Sequence, residues 1–328
     1  MFEYSNAQFF EQYSAIKHWV TKMHSKTVNP TAFILGGQPG AGKTVLQKQI
    51  RNNNKNIIII NADSFREFHP YFDEIQYMYG NESPKYTQPF INRVTERLID
   101  ELSAEKYNLI IEGTLRTANV PISSCKMLKE KGYRVELHIM AVKSQISYES
   151  TILRYENAIA QGEIPRATAK AHHDMVADAI ADNLDTIEKA GAFDSIKLFN
   201  RNGDCLYPAV GCSTASEVEN RTLNGWWTID ETEQLKEIVT AVSDLKAARN
   251  AEDLTSYRQH AKEVITFAES NRYRYIKVSR QQADQLRRAG ISVEGNTEKN
   301  EISVIRIPPT QSSKAEKILY QNPNVPKK

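Results

Sequence analysis

The sequence predicts an α/β fold in which a parallel sheet is flanked by helices, followed by a C-terminal helical and small α+β extension. Three observations carry this reading. An apolar run at 32–35 leads into the stretch Gly36-Gly37-Gln38-Pro39-Gly40-Ala41-Gly42-Lys43-Thr44 and then into a helical pattern from Val45. Apolar runs at 57–60, 108–112 and 135–142 alternate with segments of helical periodicity, the arrangement that builds a parallel sheet. Near residue 209 the chain turns small, polar and glycine-containing before two long helical patterns begin. A length of 328 residues accommodates one large α/β domain and a smaller one. The division predicted is a first domain over 1–208, a linker over 209–229 and an extension over 230–328.

Each element follows in order. Residues 8–24 place Phe9, Tyr13, Ile16, Trp19, Val20 and Met23 at helical spacing, an amphipathic helix for packing on the core. Asn29-Pro30 ends that lead-in, and 31–35 is the first strand. Gly37 to Thr44 then fits G-x-x-x-x-G-K-[ST] in full, between strand and helix as a phosphate-binding loop requires. Its glycines permit positive φ and close backbone approach. Successive amides form an anion nest, and the helix N-terminus adds partial positive charge. Gly37, Gln38, Pro39, Gly40, Ala41, Gly42, Lys43 and Thr44 are therefore the nucleotide-binding candidates, with Lys43 reaching the terminal phosphates and the Thr44 hydroxyl a Mg²⁺ ligand.

The four isoleucines at 57–60 read as a strand buried on both faces. Asp63 lies just past its carboxyl end, where ligand groups gather in open α/β sheets. Two roles are open to it: a base for an attacking hydroxyl, or the N-cap of a helix opening at 63–66. A helix at 86–105 carries Glu96 between Arg93 and Arg97, ordinarily a surface charge. The strand at 108–112 ends in Glu112, ahead of Gly113-Thr114-Leu115-Arg116; Glu112 is a Mg²⁺ ligand, a substrate contact or a cap. A helix at 121–131 and a strand at 135–142 follow. The helix at 145–161 bears Arg154, and Arg166 follows the Gly162/Pro165 break, the pattern of a lid that clamps transferring phosphate. A helix at 170–190, a strand at 195–199 and the turn signal Asn202-Gly203 before a strand at 205–207 complete the first domain. The extension reads as helices at 230–248 and 252–270, then strand 273–278, helix 280–289 and strand 302–307, with a loose tail from Pro308.

Composition narrows the setting. The net charge is +2, but residues 271–328 carry 12 Lys/Arg against 5 Asp/Glu, so the basic surplus sits in the extension. A solvated face explains it more simply than nucleic acid does. Cys125, Cys205 and Cys212 form no C-x-x-C pair, which fits a reducing cytoplasm rather than a disulfide framework. No secretory signal and no apolar run near the ~20 residues that span a bilayer is found.

Taken together, the motifs resemble those of the zeta toxin family, a group of ATP-dependent P-loop kinases, over roughly residues 31–210. The resemblance rests on GGQPGAGKT at 36–44, the D-x-F-x-x-x-H-P segment from Asp63 to Pro70, NLIIEGTLR at 108–116, and the Arg154-Tyr155-Glu156 and Arg166-Ala167-Thr168 segments. It implies transfer of the ATP γ-phosphate to the 3′-hydroxyl of the amino sugar in UDP-N-acetylglucosamine, which starves cell-wall synthesis. It further implies Asp63 as base, Lys43 and Thr44 on phosphate and Mg²⁺, Arg154 and Arg166 on the transferring group, and Glu96, Thr114, Arg116 and Ser124 toward the UDP-sugar, with Glu112 serving either the metal or the substrate. A small helical epsilon-type antitoxin is the implied partner, as a separate chain. Leu115, between Thr114 and Arg116, is expected to place an apolar side chain near the sugar.

Two rival functions use the same residues. One is a P-loop kinase acting on a polynucleotide 5′-hydroxyl or a small metabolite. The other is a non-catalytic ATP-binding module that docks nucleic acid through the basic tail, where Arg272, Tyr273, Arg274, Tyr275 and Lys277 interleave.

Overall fold

A computed structural model describes residues 2–208, 214–294 and 303–320. Cys212, residues 209–213 of the expected linker, Ile302 and the tail beyond 320 lie outside the described residues. The chain forms two units, Met1–Asn224 and Gly225–Lys328.

The first unit opens with α1 (Asn6–Thr21), started by a capping box in which Ser5 and Gln8 exchange hydrogen bonds. Next come β1 (Thr31–Gly36), α2 (Lys43–Asn53), β2 (Ile58–Ile60) and a 3₁₀ segment, Ala62–Phe68. Then follow α3 (Phe72–Tyr79), α4 (Ser83–Ala104), β3 (Leu109–Glu112), α5 (Asn119–Glu130) and β4 (Arg134–Met140). The unit closes with α6 (Ser144–Ala160), α7 (Lys170–Ala190), β5 (Ser195–Phe199), β6 (Cys205–Tyr207) and α8 (Ala215–Asn224). The six strands lie in the order β2-β3-β1-β4-β5-β6. All pair in parallel except β6, which returns antiparallel to β5. Because β1 has β3 on one side and β4 on the other, the chain reverses its direction of travel across the sheet there. That reversal opens a crevice at the carboxyl ends of the strands.

One core cluster packs a face of this sheet against α1, α4, α5, α7 and α8 through Phe9, Phe90, Leu98, Leu128 and Leu184. Of the stripe expected on α1, Phe9, Tyr13, Ile16 and Val20 are buried, whereas Trp19 and Met23 are 56% and 83% exposed. The helix ends at Thr21, so Met23 never enters its periodicity.

The expected linker at 209–229 is corrected in part. Residues 215–224 form α8, with Ala215 and Val218 in the core of the first unit. Glu188 of α7 accepts from the amides of Ala215 (2.7 Å) and Ser216 (2.9 Å), satisfying the helix start with negative charge. The polar composition that reads as a linker belongs to the outer face of a docked helix.

The second unit holds α9 (Ile229–Ala248), α10 (Leu254–Ser270), β7 (Arg274–Val278), α11 (Arg280–Arg288), β8 (Ser303–Ile307) and α12 (Ser312–Tyr320). Leu235, Ile238, Val239 and Val242 are buried along α9 as their spacing predicts. β7 and β8 pair antiparallel about Ile276↔Ile305, over a core that includes Val278, Leu286, Ile307 and Ala315. The segment after Pro308, expected to be loose, instead carries α12, because Ala315 and Leu319 complete that core. Among the described residues no helix is long and apolar enough to cross a membrane.

Glu219 of α8 is fully buried, and neither carboxylate oxygen has a hydrogen-bond partner among the described residues. Burial pushes its pKa up to about 8. The folded state therefore holds a proton that the unfolded chain releases near pH 4.5, so stability falls as pH rises between those values, by roughly 1.4 kcal/mol per pH unit. Glu219→Gln is expected to flatten this slope and to unfold at higher urea than the wild type at pH 8 but not at pH 5, as measured by denaturation at both pH values.

Candidate active site

Residues 36–44 join β1 to α2 with Gly37, Gly40 and Gly42 at φ of 136°, 77° and 99°. At Gly40 a side chain would strike the Ser147 carbonyl and the Thr151 methyl of α6, so glycine lets the loop lie directly on that helix. Gln38 is fully buried and donates to the Val142 carbonyl (2.8 Å), tying the loop to the end of β4. The Lys43 ammonium donates to the carbonyls of Gly37 (2.9 Å) and Gln38 (3.5 Å) inside its own loop. Burial pushes its pKa down, Glu112 and Asp63 oppose the shift by their charge, and Arg154 reinforces it. Thr44 stands exposed in the first turn of α2.

The two acids come from neighbouring strand ends. Asp63 is no helix cap: Asn61 takes that position and accepts from the Asp63 amide (3.1 Å), which leaves the carboxylate available. Arg66 grips Asp63 Oδ1 through Nε (2.9 Å) and Nη2 (2.8 Å). The other donors of the same guanidinium go to the Pro84 carbonyl (3.0 Å), Thr87 Oγ1 (2.8 Å) and Gln88 Oε1 (2.9 Å) of α4. Oδ2 faces Arg166 Nη1 at 3.5 Å. Glu112 ends β3 and accepts from Gln47 Nε2 of α2 (2.9 Å). Burial raises its pKa, with Lys43 opposing and Asp63 adding to the rise.

Arg154, near the end of α6, donates to Thr168 Oγ1 (3.2 Å) across the lid. It feels Arg166 as a like charge and Asp63 and Glu112 as opposite ones. The start of α7 is fastened to α6 by the fully buried His173, whose Nε2 lies 2.8 Å from Ser147 Oγ and whose Nδ1 lies 3.0 Å from Asp174. Both ends of the lid are thus anchored beside the phosphate loop.

The structure brings Lys43, Asp63, Glu112, Arg154 and Arg166 into one electrostatically coupled group. The remaining candidates stand further out. Thr114 is half-buried and Arg116 exposed on the loop after β3, which Asn183 pins through the carbonyls of Leu115 (2.9 Å) and Arg116 (3.0 Å). Ser124 is half-buried on α5. Glu96 is exposed on α4, one turn along the same face from Asn92 and two from Gln88, which are themselves hydrogen-bonded (2.7 Å). Arg93 and Arg97 turn away from Glu96 to lie over Phe9 and Phe10. Leu115 does not approach the substrate side. It has φ 57° and is buried in the core, packed against Gly36.

Sequence reasoning did not single out Arg66, Gln47 or His173. Arg66 had a signal, since it lies inside the D-x-F-x-x-x-H-P segment; the other two act through contacts far apart in sequence. No cluster of three His, Cys, Asp or Glu suited to a metal exists among the described residues. Thr44, in the first turn of α2, and Glu112, which Gln47 ties to the same helix, have the oxygen donors for a cation whose other ligands come from a phosphate chain.

The 2-3-1-4-5 parallel sheet and its phosphate loop define a P-loop kinase-type fold. A profile described as Zeta toxin matches residues 16–210. Toxin PezT of Streptococcus pneumoniae serotype 4 is 38% identical over 240 residues, covering 71% of this chain and 94% of that one. Toxin zeta of Streptococcus pyogenes is 43% identical over 205 residues, covering 60% and 71%. A solved structure from the PezAT chromosomal toxin–antitoxin system of S. pneumoniae superposes with a TM-score of 0.69 at 33% identity, over 75% of this chain and 99% of that one. The AvrRxo1-ORF1:-ORF2 complex shares the fold at 16% identity and a TM-score of 0.51. This chain belongs to the zeta toxin family.

Gly40→Ala tests the loop's fit on α6. The positive φ and the Ser147 carbonyl both oppose a side chain there, so a loss of about 2–3 kcal/mol in stability is expected from denaturation curves. Nucleotide binding, followed by calorimetry, is expected to weaken with it.

Proposed function

We propose that the protein transfers the γ-phosphoryl group of ATP to the 3′-hydroxyl of the amino sugar in UDP-N-acetylglucosamine. It would thereby act as a toxin that withdraws a cell-wall precursor, and a separate small helical antitoxin would hold it in check. The observation that carries the chemistry is Asp63, with one carboxylate oxygen locked by Arg66 and the other turned toward Arg166 and the Lys43 cluster. Family membership supports the choice of acceptor.

A sugar hydroxyl is a weak nucleophile at neutral pH, so it gains from an adjacent carboxylate and from fixed placement. Asp63 takes the hydroxyl proton as that oxygen bonds to the γ-phosphorus. The bond from γ-phosphorus to the bridging oxygen breaks, and ADP departs with that electron pair. Lys43, Arg154 and Arg166 supply positive charge where the phosphoryl oxygens accumulate negative charge. A bound Mg²⁺, held by Thr44 and the phosphate chain with Glu112 beside it, would neutralise phosphate charge. Thr114, Arg116, Ser124 and Glu96 would hold the UDP-sugar, on the side of the sheet formed by β2 and β3. The extension has no role in this scheme.

Incubation with ATP, Mg²⁺ and a panel of UDP-sugars, followed by mass analysis, is expected to show a gain of one phosphate on UDP-N-acetylglucosamine. Transfer to oligonucleotides in place of the sugar nucleotide would overturn the acceptor assignment. Asp63→Ala is expected to lower transfer by about 10³-fold or more while ATP still binds.

Arg66→Lys keeps a cation but loses the planar fork that holds Oδ1. It is expected to lower kcat by about 10-fold or more with little change in the KM for ATP, the pattern of a residue that positions the base. Equal losses in ATP affinity and kcat would assign Arg66 to nucleotide binding instead.

A further inference from the structure

The loop after β3 carries Thr114 and Arg116, and its shape is not one the chain takes up by itself. Leu115, between them, has φ 57°, in the left-handed region that a residue with a Cβ seldom enters. Burial holds it there. The Leu115 side chain belongs to the same core cluster as Ile180 and Leu184 of α7. Gly36, at the end of β1, leaves the room for it, since a Cβ at that position would collide with the leucine. With Leu115 inside, Thr114 stays half-buried and Arg116 exposed. The backbone around them is fixed by donors and acceptors from outside the loop. The Gly113 amide donates to the Leu35 carbonyl of β1 (2.9 Å). Asn183 Nδ2 donates to the carbonyls of both Leu115 (2.9 Å) and Arg116 (3.0 Å). A side-chain amide nitrogen carries two hydrogens and so serves two successive carbonyls at once.

The helix that delivers this donor does not yield easily. Ile180, Leu184 and Ile187, on either side of Asn183 in α7, are fully buried, so moving Asn183 means opening the core. About three turns separate it from His173, the residue of α7 that fastens the lid, so the two contacts act on different parts of the site. Removing the Asn183 donor would leave two carbonyls unpaired beside a leucine in a strained conformation, and the backbone would relax away from its present course. We infer that Asn183 is a positioning residue for the phosphate acceptor: it holds the backbone at 115–116 so that Thr114 and Arg116 meet the UDP-sugar together. The inference rests on the reading of those two residues as acceptor contacts. The phosphate loop, α6 and the lid build the donor side without this loop, so the effect of Asn183 falls on the acceptor alone.

Calorimetric titration of the full chain with UDP-N-acetylglucosamine, and separately with ATP and Mg²⁺, tests it in the wild type, Asn183→Ala and Asn183→Asp, alongside amide hydrogen exchange. Asn183→Ala is expected to weaken the UDP-sugar by about tenfold while ATP stays within about twofold. Exchange is expected to quicken over 113–117 and to stay unchanged over 37–44. Asn183→Asp keeps the size of the side chain but turns its donor into an acceptor, so it is expected to weaken the UDP-sugar at least as much as Asn183→Ala. Unchanged ATP binding also shows that the variants are folded. Wild-type affinity for the UDP-sugar in Asn183→Ala despite faster exchange, wild-type affinity in Asn183→Asp, or equal weakening of ATP and UDP-sugar would each overturn the inference. Absence of UDP-sugar binding in the wild type itself would instead strike the acceptor reading, and this assignment with it.

Discussion

The Lys43 ammonium is held by two carbonyl oxygens of its own loop and, among the described residues, makes no ion pair with a carboxylate. A half-buried, desolvated cation whose only contacts are carbonyl dipoles is costly unless something anionic completes it. The rest of the site is arranged around that unmet charge. The glycine backbone curls to present the Gly37 and Gln38 carbonyls to the amine. The first turn of α2 adds its dipole, and the fields of Glu112 and Asp63 reach the ammonium without neutralising it by contact. A phosphate chain is the species that such a nest accepts.

The two acids share a cleft but not an environment. Asp63 is about half exposed and rigidly gripped by the Arg66 fork, whose remaining donors are spent on α4. Glu112 is tucked against Gln47, where burial favours its protonated form and the Lys43 charge opposes it. One carboxylate is thus aimed, and the other is tuned. This is how neighbouring groups of the same chemistry come to hold different roles.

α6 acts as the ruler of the nucleotide side. Ser147, Ser150, Thr151 and Arg154 fall at i, i+3, i+4 and i+7 and so share one face. Along that face the helix receives Gly40 of the phosphate loop, Arg201 of the β5–β6 turn and Thr168 of the lid. The His173 contact to Ser147 binds the far side of the lid to the same turn of helix. A single rigid element therefore sets the spacing among groups that are distant in sequence.

The sequence by itself determined the phosphate loop, the strands beside it and the strand-end positions of Asp63 and Glu112, because hydrophobic periodicity and glycine spacing are local properties. It also located the lid arginines, since a breaker between two helical patterns is visible without coordinates. Tertiary structure alone decided the rest. It made residues 215–224 a docked helix rather than linker, because α7 offered Glu188 and an apolar groove. It turned Leu115 inward onto Gly36 and drew α12 from a tail that lacks a strong local pattern. It also brought Arg66 onto Asp63, Gln47 onto Glu112 and Arg201 onto Gly42. Those pairings depend on the order of strands across the sheet and on which helix faces meet, and neither is written in any short stretch of chain.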